Sequence, residues 1–277
     1  MKNTFKVACI QTSSGANVQD NLDSAWDIVR KARDAGADLI ALPEAANVMA
    51  SDKVTLNLKT EPEENNHALL AFQDMAHKTG AWVLVGSLLV DMPDTDKMSN
   101  RSYLLDDKGA ICARYDKIHM FDVELGGAEN HMESDCYNAG DKLVLAKTPW
   151  GQLGMTICYD LRFAYLYRAL GHAGAQMLSI PSAFTQVSGR AHWHVLQRAR
   201  AIETGCYVIA PAQCGDHPGN RKTYGHSLIV DPWGEVIADG GEGIGFIIAD
   251  IDLTKVDEAR SKIPSIRHDR DFELIKN

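Results

Sequence analysis

The sequence lacks the features that mark several large classes of protein. No apolar run approaches the ~20 residues that span a membrane, and the stretch MKNTFKVACIQT at the start has no apolar core of a signal peptide. There is no long basic run, and 28 lysines and arginines against 37 aspartates and glutamates give a formal net charge of −9. These absences argue against a membrane protein, and against nucleic acid or a membrane surface as the partner.

The cysteines also lack a recognisable pattern. None forms a CxxC pair, no His/Cys group has zinc-finger spacing, and the HExxH and GxSxG motifs are missing. We therefore expect no metal and no cofactor. We expect free thiols in a reducing, cytoplasmic setting. The six thiols belong to Cys9, Cys112, Cys136, Cys158, Cys206 and Cys214.

What is present is the composition of an ordinary globular enzyme or binding domain. Hydrophobic residues make up 45% of the 277 residues and charged residues 23%. A chain of this length buries about three quarters of its unfolded surface, so its core needs no disulfides. Because no Gly/Ser/Pro tract divides the chain, we expect a single domain over 1–277 with a polar tail at about 255–277.

Strand-like and helix-like segments alternate along the chain, and the second half repeats the plan of the first. This alternation, mixed with hairpins, predicts an α/β protein with mixed sheets. Helical spacing predicts helices at 21–37, 67–81, 162–175 and 192–205. Apolar runs predict strands at 5–12, 37–45, 81–90, 151–158, 176–184, 206–213 and 245–252, and hairpins at 99–119 and 224–238.

Three polar residues stand where predicted strands end. Glu44 ends LIALPE, Lys117 follows the hairpin strand in ARYDKIH, and Cys158 ends GMTIC. Each alone has a simple structural interpretation, a buried thiol for Cys158 and solvated loop residues for the other two. Because reactive groups collect at the carboxyl ends of strands in α/β sheets, we expect the three to meet. Together they provide a nucleophile, a base and a cation.

These three groups suit the cleavage of a carbon–nitrogen bond. A thiol becomes a good nucleophile only as a thiolate, so a carboxylate such as Glu44 must accept its proton and later pass it to the leaving amine. We expect partial burial to raise the pKa of that carboxylate. The negative charge that develops on the carbonyl oxygen can be stabilised by Lys117 and by the backbone N–H of Tyr159.

The chain resembles the nitrilase superfamily of carbon–nitrogen hydrolases in three ordered motifs: LPEA at 42–45, YDKIHMFD at 115–122 and CYDLRF at 158–163. The resemblance implies a four-layer α-β-β-α sandwich with two mixed sheets, and protomers that pair as a homodimer or assemble further. It implies Glu44 as general base, Lys117 as oxyanion stabiliser and Cys158 as nucleophile. Glu133, in HMESDCYNAGD, matches a second glutamate that supports the site, although it could be an ordinary loop carboxylate.

The flanking segments CYDLRF, PSAF, AHW and RARAIE resemble the Nit branch, whose members are amidases. The resemblance therefore implies a small-molecule amide substrate, with deaminated glutathione and its products 2-oxoglutarate and cysteinylglycine as the first choice. Other amidase activity, such as an ω-amidase, and nitrile hydrolysis stay open. A ligand-binding or scaffold protein without turnover is the alternative from another class.

A substrate that carries a carboxylate needs a local cation in this acidic protein. Arg162, four residues after Cys158, is the predicted carboxylate ligand, with a structural ion pair as its alternative. The resemblance adds Ser182, Phe184 and His192 to the acyl pocket, although His192 could equally be a hydrogen-bonded scaffold residue. The chain departs from the family at Ala164-Tyr165, where Pro-Glu is usual.

Overall fold

This computed structural model describes residues 4–124 and 130–276. The described part contains six α-helices and eighteen strands. The helices are α1 (Val18–Asp34), α2 (Lys53–Asn57), α3 (His67–Thr79), α4 (Ala164–His172), α5 (Gln186–Thr204) and α6 (Thr254–Lys262). None of them is both long and apolar enough to cross a membrane. The strands are β1 (Thr4–Gln11), β2 (Leu39–Ala41), β3 (Glu61–Pro62), β4 (Trp82–Asp91), β5 (Met98–Leu105), β6 (Ile111–Asp116), β7 (Asp122–Glu124), β8 (Asn130–Met132), β9 (Tyr137–Asn138), β10 (Val144–Lys147), β11 (Gln152–Met155), β12 (Met177–Ser179), β13 (Tyr207–Ala210), β14 (Cys214–Asp216), β15 (Lys222–Tyr224), β16 (Leu228–Val230), β17 (Val236–Asp239) and β18 (Gly245–Asp252).

Two mixed sheets carry most of these strands. The first has the order β18-β1-β2-β4-β5-β6, with β3 beside β4 and β9 beside β5; the second has the order β10-β11-β12-β13-β16-β17. In each sheet three neighbouring strands run parallel, β1, β2 and β4 in the first and β11, β12 and β13 in the second. The repeated plan expected from the sequence is therefore present in the topology.

The sheets pack face to face between two layers of helices. Along β1 the side chains alternate, as the pleat of a strand requires: Val7 and Cys9 join a core cluster shared with the second sheet, whereas Ala8 and Ile10 join the cluster formed with α1 and α3. Helices α4 and α5 cover the other face of the second sheet, and Leu166 of α4 belongs to its core. This is the α-β-β-α order.

Local signals explain where the main helices begin and end. Asn17 caps α1 by accepting a hydrogen bond from Gln19 N at 3.0 Å, and Asn66 caps α3 through Leu69 N at 2.9 Å. Helices α3 and α5 each end at a glycine, Gly80 in the first case, whose left-handed backbone suits a residue without Cβ.

The bounds of several elements differ from the sequence prediction. Helix α5 starts at Gln186 rather than at 192, and it includes Gly189, where an added Cβ would lie 2.4 Å from the Cβ of Tyr224. Close packing of the helix on β15 thus overrides the poor helix propensity of glycine. The helix predicted at 162–175 is shorter, because residues 158–162 form a 3₁₀ turn.

The predicted polar tail also begins as an ordered helix, α6. Val256 is fully buried, and Arg260 donates hydrogen bonds to the backbone oxygens of Thr204 at 3.0 Å and Ala175 at 2.6 Å. A helix with only one buried apolar residue shows little amphipathic pattern, which is why its sequence resembles a tail.

Candidate active site

The three residues singled out at strand ends come together at one edge of the sandwich. Glu44 follows β2, Lys117 follows β6 and Cys158 follows β11. The first two strands belong to the first sheet and the third to the second sheet. The candidate site therefore lies where the ends of strands from both sheets meet.

The segment that carries Glu44 is held by a tight approach of β4. Ala45 N donates to Ser87 Oγ at 2.9 Å, and Ala45 itself has a positive φ of 54°. At the neighbouring Gly86 an added Cβ would lie only 1.9 Å from the backbone oxygen of Leu42. Only glycine allows the two segments to come this close, so Gly86 helps to set the direction of the Glu44 side chain.

Three donors surround the buried carboxylate of Glu44, which is 3% exposed. Oε1 accepts from Lys117 Nζ and from Asn100 Nδ2, both at 2.9 Å, and Oε2 accepts from Ala183 N at 2.9 Å. Burial alone would raise the pKa of Glu44, but the charge and hydrogen bond of Lys117 outweigh it and hold the pKa below its usual value. The expected rise in pKa is therefore wrong, because the cation lies closer than the sequence could indicate.

A second carboxylate, that of Glu133, shares the same ammonium. Lys117 Nζ lies 2.7 Å from Oε2 and 3.0 Å from Oε1 of Glu133, and Phe121 N donates to Oε2 at 2.8 Å. Burial opposes the charge on Lys117, but the carboxylates of Glu133 and Glu44 raise the pKa of its amine well above the usual value. The structure thus brings Glu133 into the cluster and keeps Lys117 as an ammonium ion.

Cys158 occupies a strained turn next to these charges. It opens the 3₁₀ turn Cys158–Arg162 with a positive φ of 46°, and its N–H donates to Pro181 O at 2.9 Å. Positive φ is uncommon outside glycine and clusters at functional sites. Burial and the neighbouring Glu44 carboxylate raise the pKa of the thiol, with Lys117 opposing them. The raised pKa therefore favours the neutral thiol over the thiolate at rest.

The buried carboxylate of Asp160 fixes this turn, a role that we did not predict. It accepts hydrogen bonds from Ile157 N at 2.9 Å, Tyr115 OH at 2.7 Å and His119 N at 3.1 Å. The ring of His119 links Asp160 to the hydroxyl of Tyr165, 2.6 Å from Nε2. Tyr165, at the departure from the family pattern, therefore supports the turn from outside.

A narrow cleft opens beside Cys158 and contains two of the predicted substrate residues. Tyr159 and Phe184 line it, together with Glu133 and Arg221. The backbone N–H of Tyr159 meets no protein acceptor among the described residues, which leaves it available to an oxyanion. Sequence reasoning missed Arg221, because its polar loop PGNRKT contains no motif that indicates an active-site residue.

The other predicted pocket residues lie outside the cleft wall. Ser182 is fully buried and its hydroxyl donates to Ile180 O at 3.1 Å, so its place in the acyl pocket stays a prediction. His192 is exposed, and its Nδ1 lies 3.2 Å from Arg162 Nη1, which agrees with the scaffold alternative. The Arg162 guanidinium lies 5.2 Å from the ring centre of Phe184, so it borders the cleft rather than lining it.

One group of potential metal ligands occurs in the described part of the chain, away from these residues. The ligand atoms of His194, His226 and Asp239 lie within 4.8 Å of one another. The Asp239 carboxylate accepts from His194 Nε2 at 3.0 Å and from His226 Nδ1 at 2.9 Å. Mutual hydrogen bonding accounts for this group, and we assign no metal to it.

The chain is similar to several known proteins. The family model described as carbon-nitrogen hydrolase matches residues 6–261. The deaminated glutathione amidase of Yersinia enterocolitica is 39% identical over 274 residues, 98% of this chain and 94% of that protein. The human deaminated glutathione amidase is 42% identical over 269 residues, 95% of this chain and 82% of that protein. The crystal structure of Saccharomyces cerevisiae Nit3, described as a member of branch 10 of the nitrilase superfamily, has a TM-score of 0.85 at 28% identity and covers 96% of both chains. This likeness confirms the predicted sandwich fold.

Proposed function

Because the chain belongs to the carbon–nitrogen hydrolase family, we propose that it hydrolyses the amide bond of deaminated glutathione to 2-oxoglutarate and cysteinylglycine. The family makes the protein a cysteine-dependent hydrolase of amide bonds. The substrate is the one named for relatives of 39–42% identity that align along nearly the whole chain. The observation that carries the proposal is the buried cluster of Glu44, Lys117 and Cys158 beside a cleft.

In the first step the sulfur of Cys158 attacks the amide carbonyl carbon while Glu44 accepts the thiol proton. The pKa of Glu44 is low and that of the thiol is raised, so the proton stays on sulfur until a substrate is bound. This supports proton transfer during the attack rather than before it. Burial of both groups excludes water from the transfer.

The attack places a negative charge on the former carbonyl oxygen. The Lys117 ammonium and the free N–H of Tyr159 are the donors that we assign to it, and removal of one such donor typically costs ~3 kcal/mol of transition-state stabilisation. Glu133 acts through Lys117, since its two short contacts hold the ammonium in place.

The tetrahedral adduct then collapses. The carbon–nitrogen bond breaks, Glu44 passes its proton to the leaving amine, and the acyl group stays on Cys158 as a thioester. In the second half a water molecule gives a proton to Glu44 and adds to the thioester carbon. Loss of the sulfur, which takes that proton back, releases the carboxylic acid and restores the thiol.

Incubation of the purified protein with deaminated glutathione tests the substrate. We expect equal amounts of 2-oxoglutarate and cysteinylglycine, and a thioester adduct on Cys158 by intact-mass spectrometry when the reaction is quenched. Cys112→Ser is a control, since that thiol is exposed and lies outside the cleft. Turnover of α-ketoglutaramate alone would replace this substrate by an ω-amidase activity, and turnover of nitriles alone by a nitrilase activity. Absence of any adduct would favour a ligand-binding protein.

Partners and location complete the proposal. We propose a homodimer that packs through the outer side of α5, where Val187, Val195 and Ile202 are exposed large apolar residues. Light scattering of wild type and of Val195→Asp tests it. The core cluster shared by both sheets supports one domain over 1–277, and six free thiols support a reducing, cytoplasmic setting. The formal net charge of −9 supports a protein without nucleic-acid or membrane-surface partners.

A further inference from the structure

Arg221 lies in the wall of the cleft that contains Cys158. It precedes β15 and lines the cleft together with Glu133, Cys158 and Tyr159. Its loop is well anchored, because His217 N donates to Arg221 O at 2.8 Å and the His217 ring contacts Ser14 O at 2.9 Å. The guanidinium is therefore held at the cleft by ordered backbone.

The guanidinium has fewer partners than its donors require. Nη2 donates to Ala183 O at 3.0 Å, whereas Nε is buried and has no hydrogen-bond partner in the described part of the chain. The two glutamates of the site pair with Lys117, and no ion pair of Arg221 occurs within residues 4–124 and 130–276. A buried N–H donor without an acceptor is unfavourable, so the site favours a ligand that supplies one.

A carboxylate is the ligand that fits these donors. The planar guanidinium fork offers parallel N–H groups that a carboxylate accepts in pairs. His131, which feels the charge of Arg221, does not compete for the anion, since burial and the Arg221 and Lys117 charges lower its pKa and favour the neutral ring. Arg162 differs from Arg221, because its guanidinium contacts His192 and lies over the ring of Phe184.

We propose that Arg221 binds a carboxylate of the substrate and thereby makes the enzyme selective for anionic amides. This inference rests on the proposed function for the location of the reacting bond. The carboxylate can belong to the acyl half of the amide or to its amine half. A carboxylate on either half would pair with the guanidinium in the same way. Amides that carry the carboxylate on only one half distinguish the two cases.

The kinetic test compares three amides. α-Ketoglutaramate carries its carboxylate on the acyl half, N-butyrylglycine on the amine half, and butyramide has none. For Arg221→Met we expect kcat/KM to fall about a hundredfold further for one of the anionic amides than for butyramide, mainly through KM. The affected substrate identifies the half that is bound. Arg221→Lys, which keeps the charge but loses the fork, should restore part of the loss.

Two further variants control for general damage. Arg33 is also half-buried and donates to backbone oxygens, those of Thr79 and Ala37, but it lies on α1 outside the cleft. Arg33→Met should keep the ratio of anionic to neutral turnover. Equal losses on all three amides in Arg221→Met, or a loss of selectivity in Arg162→Met instead, would overturn the proposal.

A binding measurement keeps the test independent of turnover. Calorimetry with the inactive Cys158→Ala protein should detect 2-oxoglutarate or N-butyrylglycine, and the added Arg221→Met change should weaken that affinity about a hundredfold. Unchanged or absent binding of both anions contradicts the role of Arg221. If anions bind through Arg221 but deaminated glutathione is not hydrolysed, the proposed substrate fails and the role of Arg221 stands.

Discussion

The Nζ of Lys117 lies 2.9 Å from Oε1 of Glu44, and their side chains are only 1% and 4% exposed. The same nitrogen lies 2.7 Å from Oε2 of Glu133. One buried ammonium thus compensates two carboxylates, so each of the three charges depends on the others for its stability in the interior.

Lys117→Met should lower the free energy of unfolding by about 3–5 kcal/mol, since it leaves two carboxylates facing each other without a cation. Urea denaturation at pH 7 measures the change. The matched control is Lys6→Met, whose partner Asp250 is 2.8 Å away at the surface. That variant should change stability by less than about 1 kcal/mol. A Lys117→Met protein as stable as the control variant would contradict the charge arrangement.

The pH dependence of stability should carry the signature of Glu44. Its folded pKa lies below the unfolded value of about 4.3. Its stabilising contribution is therefore complete above that value, and it is lost as the pH falls through the folded pKa. The difference in unfolding free energy between wild type and Glu44→Gln should be flat from about pH 5 to 9 and shrink below about pH 4.3. A difference that persists unchanged to pH 3 would rule out this coupling.

Glu44→Gln should also lower kcat by about 10²–10⁴-fold, because the amide cannot accept the thiol proton or return it to the leaving amine. Steady-state kinetics with the identified amide measures this. Glu203→Gln provides the control, as Glu203 pairs with Arg200 at 2.8 Å on α5 and is partly exposed. Retention of more than about a tenth of the activity would show that another group is the base.

The resting state of the Cys158 thiol can be read from its alkylation rate. Because its pKa is raised, the rate with iodoacetamide should climb with pH through the ordinary thiol value of about 8.5 and show no plateau near neutrality. Peptide mapping by mass spectrometry follows the site, and the exposed Cys112 serves as an internal reference. A plateau below pH 7 would instead indicate a preformed thiolate.

Gly86→Ala should destabilise the protein by about 1–3 kcal/mol and reduce kcat, because the new methyl group pushes against the strand that precedes Glu44. The nearest atom, Leu42 O, would be 1.9 Å away. Gly243→Ala is matched to it, since nothing lies within 4 Å of that position. Denaturation and kinetics on both variants test whether the approach of β4 positions Glu44. Equal behaviour of the two would exclude it.

The sequence predicted the parts of the site that depend on local pattern. Glu44 and Cys158 follow apolar strands, Lys117 follows a hairpin strand, and their motifs occur in a known order, so their convergence could be expected. Phe184 and Tyr159 lie next to such motifs and were found with them.

Contacts between segments distant in the chain were not predictable in this way. Asn100 reaches Glu44 from β5 only because of the sheet register. Asp160 stabilises the Cys158 turn through contacts with residues of β6 and of the segment that follows it. The low pKa of Glu44 escaped prediction for the same reason, since it depends on a distance across the fold. The signal for Asn100 was an asparagine inside a predicted strand, where asparagine is uncommon, as in SNRSYLL.

The division of the reacting groups between the two sheets has a consequence for how the protein responds to damage. Glu44 and Lys117 follow strands of one sheet and Cys158 follows a strand of the other, while a misplacement of about 1 Å can cost a hundredfold in rate. The catalytic rate should therefore depend strongly on how the two sheets are aligned. On mild heating or after cavity-forming changes in the shared core, activity should decline while circular dichroism still reports intact helices and strands.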